Sequence, residues 1–155
     1  MRLRLLVFPL LFCVCSSAVW AGVGSKDTVY VGGTLNSIKQ DTEGKSSTSD
    51  EKVFTFKYKG GQVTIPYDRV NTLEYGQKAG RRIGVAIMVS PIALLSKKRK
   101  HFMTVSYLDE ADKQQAAVFE LGKDIVRVTL ATLEARTGRK IEYQDEEARK
   151  SGRGN

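Results

Sequence analysis

Residues 52–67 read KVFTFKYKGGQVTIPY, and they contain the clearest structural pattern in the chain. Aromatic side chains at Phe54, Phe56 and Tyr58 recur at every second position, which is typical of a strand with one buried face. Gly60-Gly61 predicts a two-residue turn, after which the returning segment alternates again. These residues therefore predict a β-hairpin, and its second strand is expected to end or to lie at a sheet edge at its proline.

Other segments with strand character lie on both sides of this hairpin. Residues 29–35 (VYVGGTL) predict a strand in which the glycine pair marks a bulge or a close approach of another backbone. Residues 41–51 are polar and predict a solvated loop. The remaining predicted strands cover residues 70–77, 102–109 and 114–121, and the last two form a second hairpin with its turn at 110–113.

One helix is predicted after the last strand. It opens near Asp124, whose carboxylate suits the positive end of the helix dipole, and Gly138 is a normal stop just after it. Its apolar residues fall on two lines that together predict a broad stripe against the sheet: Ile125, Val128 and Thr132 on one line, and Val126, Leu130 and Leu133 on the other. The charged tail over residues 142–155 is predicted to be disordered.

Residues 80–101 (GRRIGVAIMVSPIALLSKKRKH) form an apolar insertion between two predicted strands. The uncharged run at 83–95 would be about 20 Å long as one helix, which is shorter than a ~30 Å hydrocarbon core. It therefore does not predict a simple membrane span. The first half of the run also alternates as a strand would, so helix and strand both stay open, with helix favoured.

Two roles are open for this insertion. It either packs on the sheet as part of the core, or contacts an anionic membrane surface or a partner through apolar residues with a basic collar. The candidate contact residues are Arg81, Arg82, Ile87, Met88, Leu94, Leu95, Lys97, Lys98, Arg99 and Lys100.

Residues 1–21 predict a secretory signal peptide, because two arginines precede a short uncharged run and small residues precede a cleavage site after Ala21. Cleavage after Ala18, an uncleaved anchor and a lipid-bearing cysteine are the alternatives. The two cysteines of the chain, Cys13 and Cys15, lie in this segment. We therefore expect an exported protein, periplasmic or secreted, whose mature domain has no disulfide and no cysteine ligand.

The residue types do not predict an enzyme. His101 is the only histidine, and it is expected to be an exposed or strand-start residue rather than a catalytic base. Asp109, Glu110 and Asp112 cluster in a predicted turn, where carboxylates usually bond to the backbone. We therefore expect no catalytic residue, no metal site and no cofactor.

The formal net charge is +8 at pH 7, which favours anionic partners. Nucleic acid is not expected, because the chain carries an export signal and no recognisable reading motif. The expected partner is an unknown envelope protein or an anionic membrane surface. The oligomeric state is left open.

Several short motifs follow one another in an order that a known domain family shares. They are residues 33–35 (GTL) in an early strand, residues 53–56 (VFTF), the step at 65–70 (IPYDRV), and the hairpin at 102–121 that leads into the helix. Over residues 28–138 this order resembles the bacterial pleckstrin-homology-like and GRAM-like domains. The resemblance implies a mostly β fold, a partly open antiparallel barrel of six or seven strands closed by one C-terminal helix. A lipocalin-like or other small barrel is the alternative.

Such a fold is a platform and does not name a ligand. The function expected from the sequence is that of a non-enzymatic binding or scaffolding domain in the cell envelope, acting as a protein-interaction module. The alternative is a peripheral membrane binder that uses residues 83–95 and their basic collar. A phosphoinositide headgroup site is not implied, because lysines and acidic residues are interleaved in the predicted first hairpin loop.

Overall fold

The computed structural model describes residues 28–78, 88–89, 91 and 99–154. The predicted signal peptide and most of the apolar insertion lie outside the described residues. The strands are β1 (Thr28–Gly33), β2 (Thr42–Ser47), β3 (Val53–Tyr58), β4 (Gly61–Pro66), β5 (Val70–Gly76), β6 (Met88–Val89), β7 (His101–Leu108), β8 (Gln114–Leu121) and β9 (Ile141–Tyr143). The described helices of more than one turn are α1 (Val126–Thr137) and α2 (Glu146–Arg153), and Tyr67–Arg69 form a 3-10 turn between β4 and β5.

The strands form one mixed sheet in the order β4-β3-β2-β1-β8-β7-β5-β9, with β6 beside β1. Neighbours pair antiparallel except β5 and β9, which pair parallel. No pairing between described strands joins β4 to β9, so this part of the sheet is not closed. The expectation of a mostly β fold with a helix after the last long strand is confirmed. Strands β2 and β9 and helix α2 were not predicted.

The prediction of a solvated loop over residues 41–51 is wrong in part, because Thr42–Ser47 form strand β2. Its inward positions hold small residues instead of apolar ones, so the strand carries no hydrophobic alternation. Ser46 is buried and its Oγ lies 2.7 Å from Thr28 Oγ1. A Cβ at Gly44 would lie 2.6 Å from the ring of Phe56, so only glycine fits beneath that aromatic side chain.

The β3–β4 hairpin follows the prediction closely. Phe54, Phe56 and Ile65 are fully buried. Tyr58 pairs with Gly61, so the two-residue loop is Lys59–Gly60, one residue earlier than predicted, with a positive φ of 128° at Gly60. β4 ends at Pro66 and lies at the edge of the described sheet, as its proline predicts.

The glycine pair in β1 is both a bulge and a close approach, as predicted. The register between β1 and β8 shifts between Tyr30 and Gly32, and a Cβ at Gly33 would lie 2.2 Å from the carbonyl oxygen of Ala116. β2 pairs with β1 only as far as Tyr30, and β6 then pairs with Gly32 and Gly33. The strand alternative for the first half of the insertion is therefore confirmed at Met88–Val89.

The core lies between the sheet and α1. Phe119 is at its centre, with ring centroids 5.9 Å from Tyr30, 5.4 Å from Phe54 and 5.2 Å from Phe56. Both strands of the second hairpin bury side chains in this core: Met103, Val105, Tyr107, Ala117, Phe119 and Leu121. Burial of these large side chains stabilises the fold by roughly 1.5–3 kcal/mol each.

Only one of the two predicted apolar lines of α1 is fully part of the core, and of the other line Ile125 packs against its border. Val126, Leu130 and Leu133 are buried, whereas Val128 is 64% exposed. The helix also begins at Val126, slightly later than predicted. Gly138 stops it with a φ of 66° and an N–H donated to the Glu134 carbonyl at 3.1 Å, as the sequence predicts.

The C-terminal residues differ from the prediction of a disordered tail over 142–155, because they form most of β9 and α2. The Asp145 carboxylate caps α2 by accepting the Ala148 N–H at 2.7 Å. Ala148 is fully buried, and a Cβ at Gly152 would meet the ring of Tyr143 at 2.8 Å. A few small contact residues thus hold a segment whose composition is dominated by charge.

Candidate functional site

A groove of about 270 Å³ separates α1 from the end of β2 and the loop that follows it; we refer to it as the α1 groove. Hydroxyl and methyl groups dominate its walls. The lining residues are Ser46, Thr48, Ser49, Asp124, Ile125, Val128, Thr129, Thr132 and Arg136. Sites for small molecules usually measure about 300–1,000 Å³, so this groove suits one or two side chains of a larger partner.

The helix wall of the groove contains the second apolar line of α1. Ile125, Val128 and Thr132 follow one another at helical spacing and therefore face the same side. Val128 is the only large hydrophobic side chain among the described residues that is exposed. All three side chains are β-branched and have restricted χ1 angles, so this apolar surface is formed before any partner arrives.

The opposite wall is held in place by hydrogen bonds. Ser46 is fixed by its contact with Thr28, and Ser49 donates its backbone N–H to Ser47 Oγ at 3.2 Å. Asp50 Oδ1 accepts the backbone N–H of Lys52 at 2.8 Å, which closes the turn into β3. The β2–β3 loop is thus a structured wall of the groove.

Arg136 ties the two walls together near the C-terminal end of α1. Its guanidinium donates to the backbone carbonyls of Thr48 and Asp50 and lies 5.6 Å from the ring centroid of Tyr67. Burial raises the pKa of Tyr67, while the hydrogen bond from Arg136 opposes that rise, so the phenol is neutral at pH 7. Because the Arg136 side chain joins α1 to the β2–β3 loop, it fixes the width of the groove.

The arrangement suits an extended, partly apolar peptide. Ile125 and Val128 offer an apolar contact, and the hydroxyl groups of the opposite wall are of the kind that bonds to backbone amides. Asp124 lies just before the N-terminus of α1, and Arg136 lies in its last turn. The groove therefore carries one charge of each sign at its ends.

Three of the ten sequence-predicted contact residues fall among the described residues. Met88 pairs through its backbone with Gly33 in β6. Arg99 and Lys100 form ion pairs, Arg99 with Glu147 at 3.0 Å and Lys100 with Glu120 at 2.8 Å. Neither Arg99 nor Lys100 lines the α1 groove. The other seven lie outside the described residues: Arg81, Arg82, Ile87, Leu94, Leu95, Lys97 and Lys98.

His101 was predicted to be an exposed or strand-start residue. It is the first residue of β7, and it is half-buried. Its Nδ1 lies 2.5 Å from the Tyr75 hydroxyl, which is also 3.0 Å from Ser151 Oγ. Burial and the charge of Lys123 lower the pKa of the imidazole, while Glu120 opposes the shift. The ring therefore acts as a neutral partner of Tyr75 that links β7 to β5 and α2.

The carboxylates of the β7–β8 turn bond to their own turn and to a neighbouring side chain. Asp109 Oδ1 accepts the backbone N–H groups of Ala111 and Lys113, both at 2.9 Å, and these bonds help to lower its pKa. Asp112 lies 3.0 Å from Arg69. Within the described ranges, no group of three histidine, cysteine or acidic residues could hold a metal ion. The helices of those ranges are also too short or too polar to cross a membrane.

The sequence alone did not identify the α1 groove, because both apolar lines of the helix were assigned to the core. A signal was present: the two lines together span more of the helix circumference than one sheet contact can cover. No protein-family model matches this chain, and a search of curated proteins found no match to it either.

Proposed function

We propose that this chain is an exported, non-enzymatic binding domain of the cell envelope that holds an extended segment of a partner protein in the α1 groove. The observation that carries the proposal is Val128, a stiff apolar side chain that is 64% exposed in a preformed groove. Val128 lines the groove together with Ile125 and Thr132, and contiguous apolar surface, rather than a single exposed side chain, is what marks interaction sites.

The strand order supports the proposal of a pleckstrin-homology-like fold. Seven strands, from β4 back to β1 and then β8, β7 and β5, pair antiparallel, and α1 follows β8 directly. A partly open antiparallel barrel closed by a C-terminal helix would have these elements. β6, β9 and α2 are additions to that set.

A binding role is also supported by how the best candidates for acid–base chemistry are used. His101 is bonded to a buried tyrosine, and Asp109 to the backbone of its own turn. The proposal of export rests on the pattern of residues 1–21, which also contain both cysteines of the chain.

The partner segment is expected to carry one or two medium-sized apolar side chains. Burying such a side chain against Ile125 and Val128 contributes roughly 1.5–3 kcal/mol before the cost of ordering the segment. The acidic end of the groove favours a basic group on the partner, and its arginine end favours an acidic group or a carbonyl.

The membrane-binding alternative depends on residues 83–95 and their basic collar. The two collar residues in the described ranges, Arg99 and Lys100, have carboxylate partners within the chain, so part of their charge is already balanced. This makes the α1 groove the better supported contact surface.

The proposal is tested with the expected mature chain, Gly22–Asn155, immobilised as bait for envelope extract. Val128→Asp is expected to lower the capture of one partner protein at least tenfold, because it places a carboxylate in the apolar contact. Ala131→Asp is the matched control, since residue 131 is exposed on the same helix outside the groove lining, and it should capture as the wild type does.

Two results would overturn the proposal. One is equal capture by the two variants. The other is binding to anionic vesicles that the Val128→Asp variant retains and that disappears when Lys97, Lys98, Arg99 and Lys100 are changed to serine, which would favour the membrane-binding alternative.

A further inference from the structure

β4 forms one edge of the described sheet, and within that part of the chain it lacks the usual protection of an edge strand. β3 pairs with one side of it, and no strand among the described residues pairs with the other. Its sequence, GQVTIP, contains no charged residue. Edge strands are normally blunted by charge, a bulge or a covering element, and among the described residues only the terminal Pro66 serves that purpose here.

The register of the β3–β4 hairpin shows which backbone groups of β4 face outward. The two-residue loop places Tyr58 and Gly61 in a hydrogen-bonded pair, and such pairs recur at every second residue of the hairpin. The Tyr67 N–H, which donates to the Lys52 carbonyl at 2.9 Å, fits this alternation. Odd-numbered residues of β4 therefore bond to β3. The N–H and C=O groups of Gln62 and Thr64 face the free edge.

This edge is complementary to a second copy of itself. An antiparallel copy in which Gln62 and Thr64 exchange hydrogen bonds places Val63 opposite the same residue of the copy. Val63 is half-buried, so the pairing removes more of its apolar surface from water. The exposed Lys59 precedes β4 in the hairpin loop and the exposed Asp68 follows it in the 3-10 turn, so an antiparallel copy brings strand ends of opposite charge together.

We propose that β4 pairs antiparallel with β4 of a second copy, giving a symmetric dimer with one continuous sheet across the two-fold axis. One strand pair buries less than the ~1,200 Å² of a standard interface, so the dimer is weak and forms as concentration rises. The inference goes beyond the proposed function and uses a surface that shares no residue with the α1 groove.

The first test is sedimentation equilibrium of the expected mature chain up to about 1 mM, the top of the range for weak association. The wild type is expected to show a reversible monomer–dimer equilibrium. Thr64→Pro removes an outward N–H that β3 does not use, so the dissociation constant should rise at least tenfold. Thr64→Ala keeps that N–H and should dimerise like the wild type. A wild type that stays monomeric, or a proline variant that dimerises equally well, overturns the inference.

A second test uses the charges and does not depend on how well a proline is tolerated. Lys59→Glu and Asp68→Lys should each weaken the dimer about three- to tenfold at low salt, and the double variant should restore it. Equal dimerisation by all three variants, or loss of dimerisation without restoration in the double variant, contradicts the proposed pairing.

Discussion

Gly33 shows how a single small residue permits the sheet to be built. At this point β1 bends past β8, and the glycine has a φ of 150° with the Ala116 carbonyl immediately beside it. The sequence indicated this feature correctly, because paired glycines inside an alternating segment predict a bulge or a close approach. It could not indicate that β6 would pair with the same two residues.

Gly33→Ala is expected to destabilise the protein by about 1–3 kcal/mol, because the added methyl group meets a backbone carbonyl that cannot move freely. Chemical unfolding in urea measures the change. Gly61→Ala is the control, since its Cβ would meet only the Tyr58 side chain, at 3.2 Å. Equal shifts in the two variants would contradict the assigned role of Gly33.

His101 predicts a dependence of stability on pH. Its pKa is lowered in the folded state, so the unfolded chain binds more protons as pH falls below the ordinary value of about 6.5. The stability that neutral His101 contributes is fully present above pH 6.5 and is lost as pH falls through its folded-state pKa. We expect the free energy of unfolding to fall between pH 7.5 and pH 5, and to fall less in His101→Gln. A variant with the same pH dependence as the wild type would show that His101 does not titrate with folding.

At the scale of elements, residues with strong alternation were predicted well. The two hairpins, β5 and α1 carry large apolar residues at strand or helix spacing, and burial of those residues fixes where the elements lie. β2 was missed because Gly44 and Ser46 occupy its inward positions, where size matters more than hydrophobicity. The α1 groove was missed for a related reason, since the sequence shows which residues are apolar but not how much of a helix its neighbours cover.

The close packing of α2 at Gly152 can be tested by substitution. Gly152→Val should displace α2, because its Cβ would lie 2.8 Å from the Tyr143 ring and 3.2 Å from a Leu130 methyl group. Limited proteolysis is expected to cut within Glu146–Arg153 at least tenfold faster in this variant than in the wild type. Arg149→Ala changes an exposed residue of the same helix and should leave the rate nearly unchanged. A tail that stays equally protected in Gly152→Val would contradict the packing described for α2.

At the scale of the whole molecule, the described residues combine a sheet in which β4 has one unpaired side with a helix that offers a second apolar face to solvent. The sequence led us to expect a mostly β fold, a helix after the last long strand and a sheet edge at the strand that ends in Pro66, but it did not indicate β9 or α2. The sequence carried no signal for β9 and α2, because short strands and small contact residues depend on neighbours distant in the chain. The two exposed features are also the ones on which the proposed partner and the proposed dimer depend.

The central claim, that the α1 groove binds a partner segment, is tested most directly by a photo-cross-linking residue at position 128 in the full chain in living cells. We predict a cross-link to one envelope protein from position 128 and none from position 131. A cross-link to a second copy of the chain, to the chain's own residues before Thr28, or to the same proteins from both positions would contradict the claim.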